Sequence, residues 1–236
     1  MRTGTEVDVV IPSWARDRKL KRMTQRCVHE LRRRDPGIRF NVFVVETESA
    51  LEPFQFEGTT TIYPKTEFGY NKFVNLGLEH CTADYVTICN NDLRFRSRWA
   101  TRLLEAMREH GLQSASPFCP ATHRDHWKLR RKRGKVEIGY RTQRHVAGWC
   151  LMQERSIYAK IGKLDERFVF WCSDDDYGKQ LQAHGLRHGL VHDAVVVHLI
   201  SRTLKTLDKG RRMQLTQGQY GKLKDKYGSC ASAIRH

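Results

Sequence analysis

Three adjacent carboxylates, in the run Ser173-Asp174-Asp175-Asp176, are the most chemically pointed feature of the sequence. They repel one another, and a helix start needs one cap rather than three acids. One of them can cap a helix over 175–184. The others call for a cation, an arginine or a catalytic task, or else remain solvated. A carboxylate beside the aromatic wall Phe168, Phe170 and Trp171 could have a raised pKa and act as a general base. A second candidate is Asn90-Asn91-Asp92, directly after the apolar stretch 85–89. In an open parallel sheet ligands bind at the carboxyl ends of strands, where a carboxylate can hold a hard divalent cation bridging diphosphate oxygens. The same residues would also serve as a simple Asx turn. His198 ends another apolar stretch and could offer an imidazole to that cation, although a lone histidine is more often structural.

These residues need elements to position them. Val7, Val9, Val10 and Ile11 form a β-branched strand that Pro12 should end. Asp17 can cap a helix whose apolar positions Leu20, Met23, Cys27 and Leu31 step by three or four, and Pro36-Gly37 closes it. Strands are expected over 40–45, 59–63 and 85–89, and a helix over 70–81 with Phe73, Leu76 and His80 on one face. Ser97 should cap a helix that runs to His110 and stops at Gly111. Residues 119–145 break the rhythm: they are polar, aromatic and basic, and read as a long irregular segment that is functional or mobile. Regular structure should resume at Val146, with helices over 154–161 and 175–184, a strand over 194–199 and a basic helical tail over 208–226. The alternation predicts an α/β protein with a mostly parallel sheet covered on both faces.

The length of 236 residues suits one domain with a real core, and 39% hydrophobic and 29% charged residues suit a globular chain. No apolar run reaches the roughly 20 residues of a membrane span, and none of signal-peptide length precedes Pro12. A cytoplasmic protein is therefore expected, with no transmembrane segment. Cys27, Cys81, Cys89, Cys119, Cys150, Cys172 and Cys230 form no CxxC pair and are odd in number, which predicts buried free thiols. The charge is the unusual bulk property: 42 Lys+Arg against 26 Asp+Glu, net +16, which points to a polyanionic partner.

Taken in order, these segments resemble the family 2 glycosyltransferases and their phage-encoded relatives. Val9-Val10-Ile11-Pro12 resembles that family's first strand. Val44-Val45-Glu46-Thr47-Glu48-Ser49 resembles the segment that meets the nucleoside, with glutamates in place of aspartates. Gly69-Tyr70-Asn71-Lys72-Phe73-Val74-Asn75 is similar to the helix start under the nucleotide. Asn90-Asn91-Asp92 stands where a DXD motif would be, keeping only its last aspartate. His145-Val146-Ala147-Gly148-Trp149-Cys150 resembles the acceptor-side glycine segment, and Gly162-Lys163-Leu164-Asp165-Glu166 the family's G-x-[FL]-D-E turn. Ser173-Asp174-Asp175-Asp176 aligns with E-D-x-D, Gly185 with that helix's terminal glycine, and Val197-His198-Leu199-Ile200-Ser201 with the metal-histidine segment. Lys226-Tyr227-Gly228 resembles a common closing motif.

The resemblance implies a single-domain GT-A fold, with a donor half over 1–118, an acceptor-binding and catalytic half over 119–204, and a basic tail over 205–236. It implies a nucleotide-sugar donor, a UDP-sugar first among them, and a Mn2+ or Mg2+ ion held by Asp92 and His198. Pro12, Glu46, Glu48, Gly69, Asn71, Asn75, Asn90 and Asn91 would meet the donor. Asp174, with Asp175 beside it, would be catalytic, and Gly148, Trp149 and Asp176 would meet the acceptor. Transfer would invert the anomeric centre.

Two acceptors fit the charge. One is nucleic acid, such as a hydroxymethylated pyrimidine in phage DNA, which would place the protein in the host cytoplasm. Arg16 to Arg22, Arg32 to Arg34 and the segment 128–135 would then grip phosphates, and Trp127, Tyr140 and Trp149 could stack on bases. In that reading Arg130, Arg131 and Arg133 belong to a flap over the active site. The other acceptor is a glycan, lipid-linked sugar or protein at an anionic membrane face. A non-catalytic nucleic-acid-binding module on a degenerate transferase fold is a third reading. No protein partner is implied.

Overall fold

The computed structural model describes residues 4–199 and 208–228, without the side chains of 125–127. Cys230, Ser201, the Trp127 side chain and the boundary at 204 lie outside the described residues. The other six cysteines are buried free thiols, as expected.

The chain begins with β1 (Glu6–Ser13) and α1 (Arg18–Arg33), followed by β2 (Arg39–Glu46), β3 (Thr60–Ile62) and α2 (Tyr70–Leu78). β1 is buried almost throughout because parallel strands flank it on both sides, which explains its continuous apolar run. It runs through Pro12 to Ser13. Pairing with β4 (Tyr85–Cys89) has already stopped at Val10, so the missing proline N–H breaks no rung there. Asp17 caps α1 as predicted, its Oδ1 accepting from the N–H groups of Lys19 and Leu20 at 2.8 Å each. Leu20, Cys27, Val28 and Leu31 turn inward.

The strand β5 (Leu93–Phe95) and α3 (Trp99–His110) come next. The expected Ser97 cap is replaced by Arg98, held left-handed at φ 58°, whose N–H donates to Arg34 O at 2.8 Å. That turn delivers Trp99 into the core, where Nε1 donates to Leu31 O. Gly111, at φ 59°, ends the helix as predicted.

Four elements come from stretches with no usable periodicity: β6 (Ser114–Phe118), α4 (Pro120–Trp127), β7 (Val136–Ile138) and β8 (Cys150–Glu154). The segment 119–145 thus carries α4 and β7 within otherwise irregular backbone, and 146–149 is a turn that leads into β8. Then follow α5 (Tyr158–Ile161), α6 (Ser173–Ala183), β9 (His188–His198), α7 (Lys209–Leu215) and α8 (Gln219–Tyr227). The strand expected over 194–199 is the far half of β9. Its near half pairs with β6, and the register shifts after Pro117, where Phe118 meets Val195.

The sheet order is β3-β2-β1-β4-β8-β6-β9-β5, with β7 also on β9. It is parallel from β3 to β4. β8 returns antiparallel between β4 and β6, so the second half is mixed. α2 packs on this sheet at Gly77, where an added Cβ would lie 2.4 Å from Val10 Cγ1. Among the described residues no helix is long and apolar enough to cross a membrane.

Candidate active site

The end of β1, the start of α2, the end of β4, the 147–149 turn, the start of α6 and the end of β9 converge on one cleft of about 440 Å³. Its lining includes Pro12, Trp14, Tyr70, Asn71, Asn90, Asn91, Asp92, Gly148, Trp149, Asp174 and His198. Residues scattered over nearly 190 positions of sequence meet here because the strand ends all face this side.

Asp92 and His198 are joined by the sheet itself. Leu93 pairs with His198 across β5 and β9, and Leu199 N donates to Asp92 O. Asp92 Oδ1 and His198 Nε2 lie 3.2 Å apart. The imidazole stacks on Trp149, ring centroids 5.5 Å apart and 18° between planes, which limits its rotation. One carboxylate and one imidazole opening on a cleft could share a divalent cation. Among the described residues no group of three or more His, Cys, Asp or Glu could hold a metal, so further ligands would have to come from a bound molecule or water.

Asp174 is half-buried and lines the cleft from the first turn of α6. Gly148 is the reason it fits: a Cβ there would lie 2.6 Å from Asp174 Cβ and 3.0 Å from Oδ2. Asp175 and Asp176, each 3% exposed, do not reach the cleft. Asp176 Oδ1 instead accepts from Tyr227 Oη and Lys226 Nζ, both at 2.6 Å, so its expected contact with an acceptor is replaced by an anchor for α8.

Several other expected ligands hold the fold. Asn75 donates to Leu164 O and Glu166 Oε1 and accepts from Leu164 N, clamping the 162–166 turn from below. Asn71 Nδ2 donates to Asp165 O, while its buried Oδ1 has no partner among the described residues. Asn91 lines the cleft, yet its amide donates to Ser13 Oγ and Thr24 Oγ1. Gly69 is the backbone cap of α2. Glu48 caps a short turn through Ala50 N. Glu46 accepts from Ala15 N and Glu48 N at 2.9 Å each, and burial pushes its carboxyl above the usual range. It shapes the loop carrying Trp14 without lining the cleft itself.

The basic segment does not cover the cleft. Arg131 Nε donates to His192 O and pairs with Asp193 at 3.1 Å, while Lys132 N and Gly134 N donate to His192 Nδ1 and Asp193 Oδ2. Arg131 and Arg133 border a separate groove against α3, and Arg130 lines neither. The reason is local: the bulge at 192–193 offers acceptors to the Arg131 side chain and to the backbone of Lys132 and Gly134. Thr122 and Gln143 are what the 119–145 region contributes to the cleft. Tyr140, half-buried, donates to Leu186 O and does not line the cleft.

Sequence reasoning missed Tyr70. Its hydroxyl lies 3.1 Å from Gly148 O and 3.4 Å from Asn90 Oδ1, bridging the β4 end and the turn beside Asp174. Burial first, then the nearby Asp174, raises its pKa. An aromatic residue directly after the glycine of a helix start was the available signal. Trp14, which also lines the cleft, was unmarked.

Residues 8–162 match the model of Glycosyl transferase family 2. Over 82 residues the chain is 30% identical to an N-acetylglucosaminyl-diphospho-decaprenol L-rhamnosyltransferase of Mycobacterium tuberculosis strain H37Rv, covering 35% of this chain and 26% of that protein. The match therefore spans about a quarter of that relative's length. The crystal structure of GalNAc-T7 with UDP, GalNAc and Mn2+ superposes with a TM-score of 0.62 at 10% identity, over 97% of this chain and 53% of that one. S. aureus TarS 1-349 superposes with a TM-score of 0.60 at 11% identity, over 89% and 69%. At such identities the likeness is one of fold, and that fold is GT-A. The family match runs from β1 through α5, well over half of the sequence, and the chain belongs to glycosyl transferase family 2.

Proposed function

We propose that the protein is a metal-dependent, inverting glycosyltransferase that moves a sugar from a nucleotide-sugar, a UDP-sugar first among them, to a hydroxyl acceptor. The observation that carries this reading is the meeting of the Asp92–His198 pair and Asp174 in one cleft. A Mn2+ or Mg2+ ion held by Asp92 and His198 would neutralise the charge gathering on the leaving diphosphate. The carboxylate and imidazole suit such an ion, and the UDP and Mn2+ held by GalNAc-T7 support the choice.

The chain supplies the rest. Asp174 takes the proton of the acceptor hydroxyl as its oxygen attacks the anomeric carbon. The bond from that carbon to the diphosphate oxygen breaks, its electron pair leaves with the nucleotide, and attack from the face opposite the leaving group inverts the centre. Phe68, Phe170 and Trp171 give the same cleft an apolar wall beside Asp174. Tyr70 keeps the donor-side and base-side loops in register.

For the acceptor, the net charge of +16 favours a polyanion, and a hydroxymethylated pyrimidine in DNA is the reading adopted. A glycan or lipid-linked acceptor is the second reading, supported by the lipid-diphosphate sugar in the name of the mycobacterial relative. Incubation with a panel of nucleotide-sugars and Mn2+, offering hydroxymethylated DNA or a lipid-linked glycan, should give a one-sugar mass shift on the DNA. Consumption of no donor would overturn the transferase reading. A shift on the glycan alone would replace the acceptor.

A further inference from the structure

The outward face of α1 is a continuous stripe of basic side chains. Arg18, Arg22, Arg26, His29 and Arg33 are all exposed and follow one another at helical steps of four, four, three and four residues. Lys19 and Arg34 flank them, also exposed. At about 1.5 Å rise per residue the stripe is roughly 22 Å long. Arg26 pairs with Glu30 at 3.3 Å. The side chains of Arg18, Lys19, Arg22, Arg33 and Arg34 make no ion pair or hydrogen bond among the described residues. The segment 128–135 is different, because Arg131 and Lys135 are answered by Asp193 and Glu137 and none of its cations lines the cleft.

The stripe also starts at the cleft. Trp14 lines the cleft, and the Arg16 guanidinium sits 4.7 Å above its ring, one residue before the Asp17 cap. Cations therefore run from the cleft mouth along the whole helix. We propose that this face of α1 is a docking surface for the phosphodiester backbone of duplex nucleic acid, which it leads to the cleft.

Two features choose this occupant over a lipid surface. A helix that lies on a membrane buries an apolar face among the acyl chains. The apolar face of α1 is already buried in the core, and the exposed large hydrophobics among the described residues, Ile138 and Met213, lie on other elements. The stripe is also built from arginine, whose planar fork matches phosphate oxygens two at a time. The inference rests on the nucleic-acid reading of the acceptor and names the surface that would serve it.

The test is fluorescence anisotropy with a labelled duplex over a salt series. It compares the wild type with Arg18→Gln/Arg22→Gln/Arg33→Gln and with the charge-matched Lys128→Gln/Arg130→Gln/Arg133→Gln. Glutamine is a good helix former at exposed positions, and circular dichroism checks that both variants fold. The stripe variant should bind at least tenfold more weakly, with its log–log salt slope reduced by about 2.7, at roughly 0.9 per lost phosphate contact. The charge-matched variant should keep the wild-type slope. Equal losses in both variants, or none in the stripe variant, overturn the proposal. So does wild-type binding to phosphatidylserine vesicles with none to DNA. Duplex binding through α1 with no sugar transferred keeps this surface and removes the acceptor reading. Transfer to DNA at unchanged KM in the stripe variant does the reverse.

Discussion

The polar run after β4 and the acidic run that opens α6 are composed alike and held differently. In each, one residue meets the cleft through a charged group while a neighbour secures the backbone. Asn91 ties the first run to Ser13 of β1 and Thr24 of α1, and Asp92 is fixed by β9 through Leu199 and His198. These are strand ends of the central sheet. The second run has no strand beneath it. Asp176 is held by Tyr227 and Lys226 of α8, and Asp174 rests against Gly148. The proposed metal ligands are therefore mounted on the sheet, and the proposed base on a helix start braced by α8. The two halves of the chemistry should fail independently.

The largest expected effect breaks the sheet-mounted side. Asp92→Asn/His198→Ala should lose about 1,000-fold in turnover, the several kcal/mol that a metal contributes, together with any Mn2+ stimulation. Initial rates over a Mn2+ titration check this, and a variant still stimulated by Mn2+ would refute the pair as ligands. Next, Gly148→Ala should push Asp174 aside and cost about 100-fold in kcat while leaving donor affinity intact. Equal loss of both would show that the sides are not independent.

Tyr227→Phe should act on the brace. Removing a donor from the buried Asp176 carboxylate should cost about 1–3 kcal/mol of stability, and each kcal/mol should lower Tm by about 2–4 °C. Donor affinity should not change. Thermal unfolding and calorimetry with nucleotide separate these outcomes.

The smallest effect near neutral pH concerns the histidines behind the 147–149 turn. Burial pushes His188 and His145 down to about 4, and His188 contacts His145 O and Ser116 Oγ, the latter accepting from Ala147 N. The unfolded imidazoles bind protons near pH 6.5, which the folded ones refuse until about pH 4. Stability should thus rise with pH across that window and be lost as pH falls through it. A urea midpoint that does not change between pH 6.5 and 4 would show that these rings are not held neutral.

The parts of this design legible in the sequence were those with local signals. The Asp17 cap, the Gly111 stop and the strand 85–89 depend on neighbours a few residues away, and the cleft residues Asp92, Asp174 and His198 stand at element ends. What was not legible depends on distant partners. Asn75 looks like a ligand until Leu164, 89 positions later, occupies it. Asp176 looks like an acceptor contact until Tyr227, 51 positions on, donates to it. The three-residue β7 carries no periodicity, and the segment 128–135 looks like a free flap until Asp193 is seen to hold Arg131 and the backbone of Gly134.

The most direct test of the account is Asp174→Asn, read two ways: nucleotide binding with Mn2+ by calorimetry, and turnover at saturating donor and acceptor. An amide keeps the shape but cannot take the acceptor proton. Nucleotide affinity should be unchanged while kcat falls by about 100- to 10,000-fold. Near-full turnover in Asp174→Asn, with the loss appearing in Asp175→Asn or Asp176→Asn instead, would contradict the account.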